Sequence, residues 1–591
     1  MTNFLLTRRT FNTQLAAAAL TTALPAAAAS GPAAQVARLA DAYMDAYWRL
    51  FPLDATENTG DAVYEGLFAV DIAPAAREQQ RALYRRTLAQ LEAIPRAALE
   101  GQAALTWDVL KFDAQDKLAR LAYPSHLVPV GHIDALPVKL SQWASGDAAQ
   151  PLATAQNQAH FLVRLKGIPA WIDQAIANMK EGMARGFTLP RPLVERTLPQ
   201  LAELLPADVA QSPFLAASRK FADARMAAAY RRVVEREVTP AVARLRDFMA
   251  GPYLAAARTT AGLAHVKGGR EWYATLVRSS TTSSASAAEL HELGLREVER
   301  IRAEMAALRA RFDFKGELDE FIQWVGKLPA NRPFRSEDEV IAAYEAINER
   351  VKARLPRLFE RSPKAALQIR PIEPIRRATA SDNYVPPSVD GARPGVFYVV
   401  VQEPGDYQRM SMNALFLHEG QPGHHYQMAL QRELGASKFL QSTWYDAFGE
   451  GWALYAESLG HDLGVYDEPL ALMGRLQMEL HRALRLVVDT GLHDKGWSRE
   501  ETMAFLRSKE GSTEEFARRA TERYMAWPGQ ALAYKAGELK IIQLRERARA
   551  ALGGRFDIRA FHARALEGGC VPLALLEARI DAWIAAQRSN G

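Results

Sequence analysis

Apolar positions recur along most of this chain at the spacing of a helix with one buried face. Residues 34–50, 76–93, 215–249, 286–311 and 337–357 are rich in Ala, Leu, Arg and Glu, and their apolar residues repeat at a period near ~3.6, so each predicts a helix. A polar, low-complexity stretch at residues 279–286 interrupts the pattern and places a boundary near 280. It ends in Ser286-Ala287-Ala288-Glu289, the Ser-x-x-Glu capping box that opens a helix. The period changes in one place. Asp390-Gly391 is a turn signal, Arg393-Pro394-Gly395 follows, and residues 396–401 are β-branched and aromatic, which predicts a strand. The fold class expected is mainly α, with a small β-sheet close to the segment described next. An edge strand there could pair with an extended peptide backbone, which makes Tyr398 a candidate substrate contact.

The strand runs into a helix whose apolar face, Met412, Leu415 and Phe416, leads to His418-Glu419-Gly420-Gln421-Pro422-Gly423-His424-His425. Three of the chain's 12 histidines and a carboxylate fall within this octet. A His-Glu pair followed by another His is the chemistry of a catalytic zinc site. The usual spacing, however, puts the two histidines at i and i+4 on one helical face. Here i+4 is Pro422. Proline has no N–H to give the carbonyl of His418, and Gly423 loosens the backbone further, so the helix is expected to widen or bulge. In an unbroken helix His425 would lie about 10.5 Å along the axis from His418 at ~1.5 Å per residue, too far for rings that must converge on ~2.0–2.1 Å bonds. A bulge that absorbs two residues makes His424 the partner of His418. His425 then faces substrate or supports the site from behind, although the residues alone leave open which of the two is the ligand.

A catalytic zinc takes three protein ligands. Glu450 and Glu457 stand in the apolar run Phe448-Gly449-Glu450-Gly451-Trp452-Ala453-Leu454-Tyr455-Ala456-Glu457. A carboxylate there is costly unless paired or metal-bound, so Glu450 is the expected third ligand. Glu457 is expected to orient a ligand histidine, with His461 one turn on. Glu419 leaves the helix on a different bearing from His418 and is the candidate general base that activates water. An oxyanion donor is also required. His493, in Asp489-Thr490-Gly491-Leu492-His493, and Tyr534, in Trp527-Pro528-Gly529-Gln530-Ala531-Leu532-Ala533-Tyr534, are candidates, and Arg523 could hold a substrate carboxylate.

These motifs in this order resemble the bacterial domain-of-unknown-function family 885, most densely from Asn383 to Leu573. That family is grouped with HExxH-type zinc peptidases whose third ligand is a Glu. Glu-Gly-Trp-Ala at 450–453 also resembles the Glu-Gly-Phe-Ala ligand segment of the aminopeptidase N family. More distantly, a large helical chain with such a site is similar to the angiotensin-converting-enzyme and oligopeptidase group. That likeness implies a cleft between two helical lobes, with a downstream Tyr and His, matched here by Tyr534 and His493, stabilising the oxyanion.

Composition and charge narrow the setting. The 591 residues are 48% hydrophobic and 24% charged, ordinary for a globular chain, and long enough for two lobes facing a cleft. The net charge of +5, from 73 basic and 68 acidic residues, is small and forms no compact basic cluster, so no nucleic-acid partner is expected. Cys570 stands alone, which excludes an intrachain disulfide. Thr7-Arg8-Arg9-Thr10-Phe11, the apolar run 15–24 and Pro25-Ala26-Ala27-Ala28-Ala29 read as a signal peptide over 1–29, and the Arg pair suggests the twin-arginine type. The run is shorter than the ~20 residues of a membrane span, so the mature protein is expected in the periplasm or outside the cell. The domains expected are an N-terminal helical lobe, 30–280, and a catalytic lobe, 281–591. The function expected is an exported peptidase that binds one Zn2+ per chain and hydrolyses short peptides. The alternatives are a hydrolase of a non-peptide amide and a peptide-binding protein without turnover.

Overall fold

The computed structural model describes residues 31–589 apart from 147, 373–376, 378–380, 389–392 and 436. The expected signal peptide and the Asp390-Gly391 turn lie outside the described residues. The described chain is mainly helical, with one three-stranded sheet. None of its helices is long and apolar enough to cross a membrane.

Helix ends follow the capping chemistry. Pro32–Leu50 and Pro74–Glu92 each begin on a proline, whose missing N–H costs nothing at the first helical position. Ala287–Leu308 opens with the expected box, in which the Ser286 hydroxyl accepts from the Glu289 N–H and the Glu289 carboxylate accepts from the Ser286 N–H. The helix expected over 215–249 starts later, at Ala224. The Asp223 carboxylate caps the N–H groups of Arg225 and Met226, and the residues before it form short 3-10 turns.

The sheet corrects one expectation. Its strands are β1 (Leu367–Pro371), β2 (Asn383–Val385) and β3 (Gly395–Val399), in the order β1-β3-β2. β3 runs parallel to β1 and antiparallel to β2, so its hydrogen bonds are used on both sides. Tyr398 therefore stands on the central strand, opposite Arg370 and Asn383, and offers no free edge to a peptide. β3 stops at Val399 because the next N–H, of Val400, turns to the Asp382 carboxylate at 2.8 Å.

The apolar core joins distant parts of the chain. Val36, Tyr43, Leu83 and Leu110 from the first helices pack in one cluster with Phe397, Phe416, Trp452, Ile541 and Leu576. Residues between Val130 and Ala257, among them Phe161, Ile172 and Val242, form a second cluster. A third gathers Ile301, Val325, Met473, Leu484 and Leu506. The helices Asp446–Ser458 and Ala533–Leu552 cross where glycine meets glycine. A Cβ on Gly451 would strike the backbone of Gly537, and one on Gly537 would strike the carbonyl of Ala447. That close crossing brings the start of each helix to the same place.

Candidate metal centre

The histidine octet folds as two helices rather than as one widened helix. The first, Arg409–Glu419, buries Met412, Phe416 and Leu417. It ends at Glu419, and Gly420 leaves the helical path after donating its N–H to the Phe416 carbonyl at 2.8 Å. The second helix, His424–Arg432, begins at once. The expected bulge is therefore a full break, which starts at Gly420, two residues ahead of the proline that has no N–H for the His418 carbonyl. Gly423 allows the second helix to pack on the end of the first, because a Cβ there would collide with the carbonyl oxygens of Leu417 and His418. The Trp452 indole N–H donates to the Pro422 carbonyl at 2.8 Å and ties the break to the helix that carries Glu450.

This geometry brings together His418, His424 and Glu450, whose donor atoms all lie within 4.8 Å of one another. His418 Nε2 and His424 Nε2 each stand 3.4 Å from Glu450 Oε2. The two imidazoles meet edge to face, with centroids 4.7 Å apart. Tetrahedral ligands at ~2.0–2.1 Å from an ion are ~3.3–3.4 Å from each other, so the two His–Glu separations already have the length of a tetrahedron's edge. The donor set, two imidazole nitrogens and one carboxylate oxygen, suits zinc. His418 Nδ1 lies 2.8 Å from Glu457 Oε1, which fixes the ring and turns Nε2 toward the other two donors. Glu457 is in turn 3.5 Å from Arg482 Nη2. Burial works against charge on His418, yet its hydrogen bonds to Glu450 and Glu457 raise its pKa to about 9. Burial likewise opposes charge on Glu450, and the two histidines hold its carboxyl well below the ordinary value.

The other candidates divide. Glu419 is buried beside the triad and accepts no hydrogen bond from the described residues. Burial raises its pKa, against the pull of His424 and His418. His425 points away from the triad to the sheet, where Nδ1 meets the Tyr384 hydroxyl of β2 at 2.9 Å. Burial lowers its pKa to about 4, which keeps it neutral. Tyr534 begins the helix Ala533–Leu552, and burial and the charge of Glu450 both raise its pKa. The Arg485 guanidinium lies over its ring, 4.4 Å from the centroid. Arg523 is half-buried, 3.3 Å from Gln530 Oε1 and 5.9 Å from the Trp527 ring centroid.

His493 does not fit the role expected of it. Its Nδ1 accepts from the Leu263 N–H at 3.1 Å and its Nε2 donates to the Tyr524 carbonyl at 3.0 Å, so neither nitrogen is left for an oxyanion. It is fully buried, and burial lowers its pKa to about 3. His461 is exposed and packs on Tyr466, away from His418. Sequence reasoning missed Arg482 and Arg485. Both interrupt the apolar helix Pro469–Thr490, and two arginines among buried Ala483, Leu484, Leu486 and Val487 were the signal.

A cleft of about 1070 Å³ runs between residues of the first 280 positions and those of the metal region. Trp444, Asp446, Trp527 and Gln530 form part of its wall. None of the triad residues lines it, but the ring of Trp444 on its wall lies 5.8 Å from that of His424.

Among known proteins, the family described as bacterial proteins of unknown function, DUF885, matches residues 52–580. A solved structure of a candidate lipoprotein from Colwellia psychrerythraea is similar at 26% identity and a TM-score of 0.83, covering 94% of this chain and 100% of its own. A second, a candidate lipoprotein of unknown function from Shewanella oneidensis, aligns at 17% identity and a TM-score of 0.74, covering 93% and 99%. No curated protein matches the chain.

Proposed function

We propose that this chain, which belongs to the bacterial DUF885 family, is an exported zinc-dependent hydrolase that cuts short peptides in a cleft between two helical lobes. The observation that carries the reading is the 3.4 Å spacing of both ring nitrogens from one Glu450 oxygen, with Trp444 of a large cleft beside His424. His418, His424 and Glu450 would hold the ion. When bound, zinc supplies a Lewis acid that makes water acidic enough to serve as a nucleophile near neutral pH. Glu419 is the free carboxylate beside the triad. It takes the proton of the attacking water and returns it to the leaving amine. Glu457 keeps the His418 ring in one tautomer, with Nε2 unprotonated. Tyr534 donates its phenolic proton toward the developing oxyanion, and Arg485 over its ring favours that role by polarising the phenol. His493 has no part in this scheme. Export is supported by the signal-like residues 1–29 and by the lipoprotein description of the similar structures.

Two measurements on the purified protein test the reading. Metal analysis should find about one zinc per chain. Glu419→Gln should retain that zinc and lose roughly 10²–10⁴-fold in kcat for a hydrolysed peptide, the usual worth of a general base. A folded protein that binds no zinc, or a Glu419→Gln variant with unchanged kcat, would overturn it.

A further inference from the structure

Six large hydrophobic side chains stand exposed among the described residues, and four of them are aromatic. Two of the four, Trp444 and Trp527, are on the wall of the same cleft. Exposing an indole costs apolar burial, and two in one cleft beside a candidate metal centre call for a ligand that uses them.

Asp446 lies between these tryptophans in sequence and on the same wall. It occupies the first turn of the helix that carries Glu450, one turn before it. Its one hydrogen-bond donor among the described residues is the Trp444 indole N–H, at 2.7 Å from Oδ1. Burial and the Glu450 charge oppose its ionisation, while the Trp444 hydrogen bond and, from beyond ion-pair distance, Arg120 and Arg523 favour it. Among the described residues no cation is in ion-pair contact with this carboxylate, which leaves it a demand that a ligand ammonium can meet. The faces of two tryptophans meet the same demand, since a cation over an indole is attracted by the ring's quadrupole. The three side chains line the same cleft, a lining suited to an ammonium group.

The position sets what that ammonium belongs to. One helical turn, ~5.4 Å, separates Asp446 from Glu450 along the axis. One to two residues of extended chain, at ~3.3–3.6 Å each, span that distance. We infer that Asp446, held by Trp444 in the cleft that Trp527 also lines, binds the free amino terminus of the substrate and so selects peptides cut within one or two residues of it. The inference rests on the hydrolase reading and narrows it to an exopeptidase acting from the amino end.

Calorimetric titration of zinc-loaded Glu419→Gln protein, which binds without turnover, separates the possibilities. The probes are Ala-Ala-Phe, its N-acetylated form, and N-acetyl-Lys-Ala-Phe. The free tripeptide should bind about tenfold or more tightly than its acetylated form, the worth of one charge-assisted hydrogen bond. Adding Asp446→Asn should remove that preference and leave binding of the acetylated peptide unchanged. Equally tight binding of the lysine peptide, lost with Asp446→Asn, would keep the ammonium site but reassign it to a side chain. No preference, a preference indifferent to Asp446→Asn, or no binding of any probe would overturn the inference. Digestion of the same peptides by the wild-type protein tests the hydrolase reading separately. Cleavage indifferent to acetylation leaves that reading standing and this one fallen. Amine-dependent binding without cleavage keeps the amine site at Asp446 but overturns both the hydrolase reading and the exopeptidase assignment.

Discussion

At the scale of the residue, Glu457 and His418 make the most informative pair. Glu457 is buried, gives one oxygen to His418 at 2.8 Å, and leaves its other oxygen without a hydrogen-bond partner among the described residues. Its worth lies in holding an imidazole rather than in touching substrate. Glu457→Gln should therefore lower zinc affinity about 10–100-fold, as loss of a carboxylate behind a ligand histidine does, and leave the fold intact. Competition with a chromogenic chelator measures this, and an unchanged zinc Kd would show that the His418–Glu457 contact is merely structural. The residue identities at the centre were legible in the sequence. His418, Glu419 and Glu450 announce themselves by type and spacing, while the residues alone left the choice between His424 and His425 open. The role of Gly423 was not, because the need for hydrogen in place of a Cβ arises from the carbonyls of Leu417 and His418, which only the folded break brings near. His493 misled because a histidine near a helix end reads alike whether it faces substrate or two backbone groups. Its partners, Leu263 and Tyr524, are far away in sequence.

At the scale of the element, short-range chemistry predicts helix ends well and helix neighbours poorly. The Ser286 box and the prolines at 32 and 74 fix where helices start. Nothing local says that Gly451 and Gly537 must touch, although that crossing sets the start of the Tyr534 helix beside Glu450. β3 shows the same gap. Its β-branched run was plain, but its central place depends on β1, 28 residues earlier as paired from Leu367 to Gly395. Asp489 joins three elements at once. On the helix Pro469–Thr490, it accepts from the Tyr273 hydroxyl at 2.6 Å and from the Gly529 N–H at 2.9 Å, and so holds the turn next to Trp527. Burial raises its pKa from 3.8 to about 7. In the unfolded chain the carboxyl ionises from about pH 4 upward, while in the folded chain it stays protonated to near 7. Its contribution to stability is therefore greatest in acid and falls as the pH rises across that window. Asp489→Asn keeps the accepting oxygen and cannot ionise, so its Tm should rise relative to wild type between about pH 4 and pH 7. A Tm difference that does not vary with pH contradicts this.

At the scale of the whole molecule, the chain folds back on itself, so that its first helices pack into the core that holds the metal region. Helical periodicity revealed the class but not this return, because the cluster that joins Val36 to Ile584 is made of contacts remote in sequence. The return also builds the cleft. Asp116 and Arg120 on one side and Asp446 and Trp527 on the other share its lining. The proposed metal ligands lie beside this space rather than on its lining, behind Trp444, and its two-sided walls would admit short, flexible substrates more readily than folded ones. Everything proposed for this molecule turns on whether His418, His424 and Glu450 hold a metal. The direct measurement is anomalous diffraction above and below the zinc edge from crystals of zinc-dialysed protein. One zinc peak per chain is predicted, ~2.0–2.2 Å from His418 Nε2, His424 Nε2 and a Glu450 carboxylate oxygen. A map with no zinc peak at these atoms, or with the ion on His425 in place of His424, would contradict it.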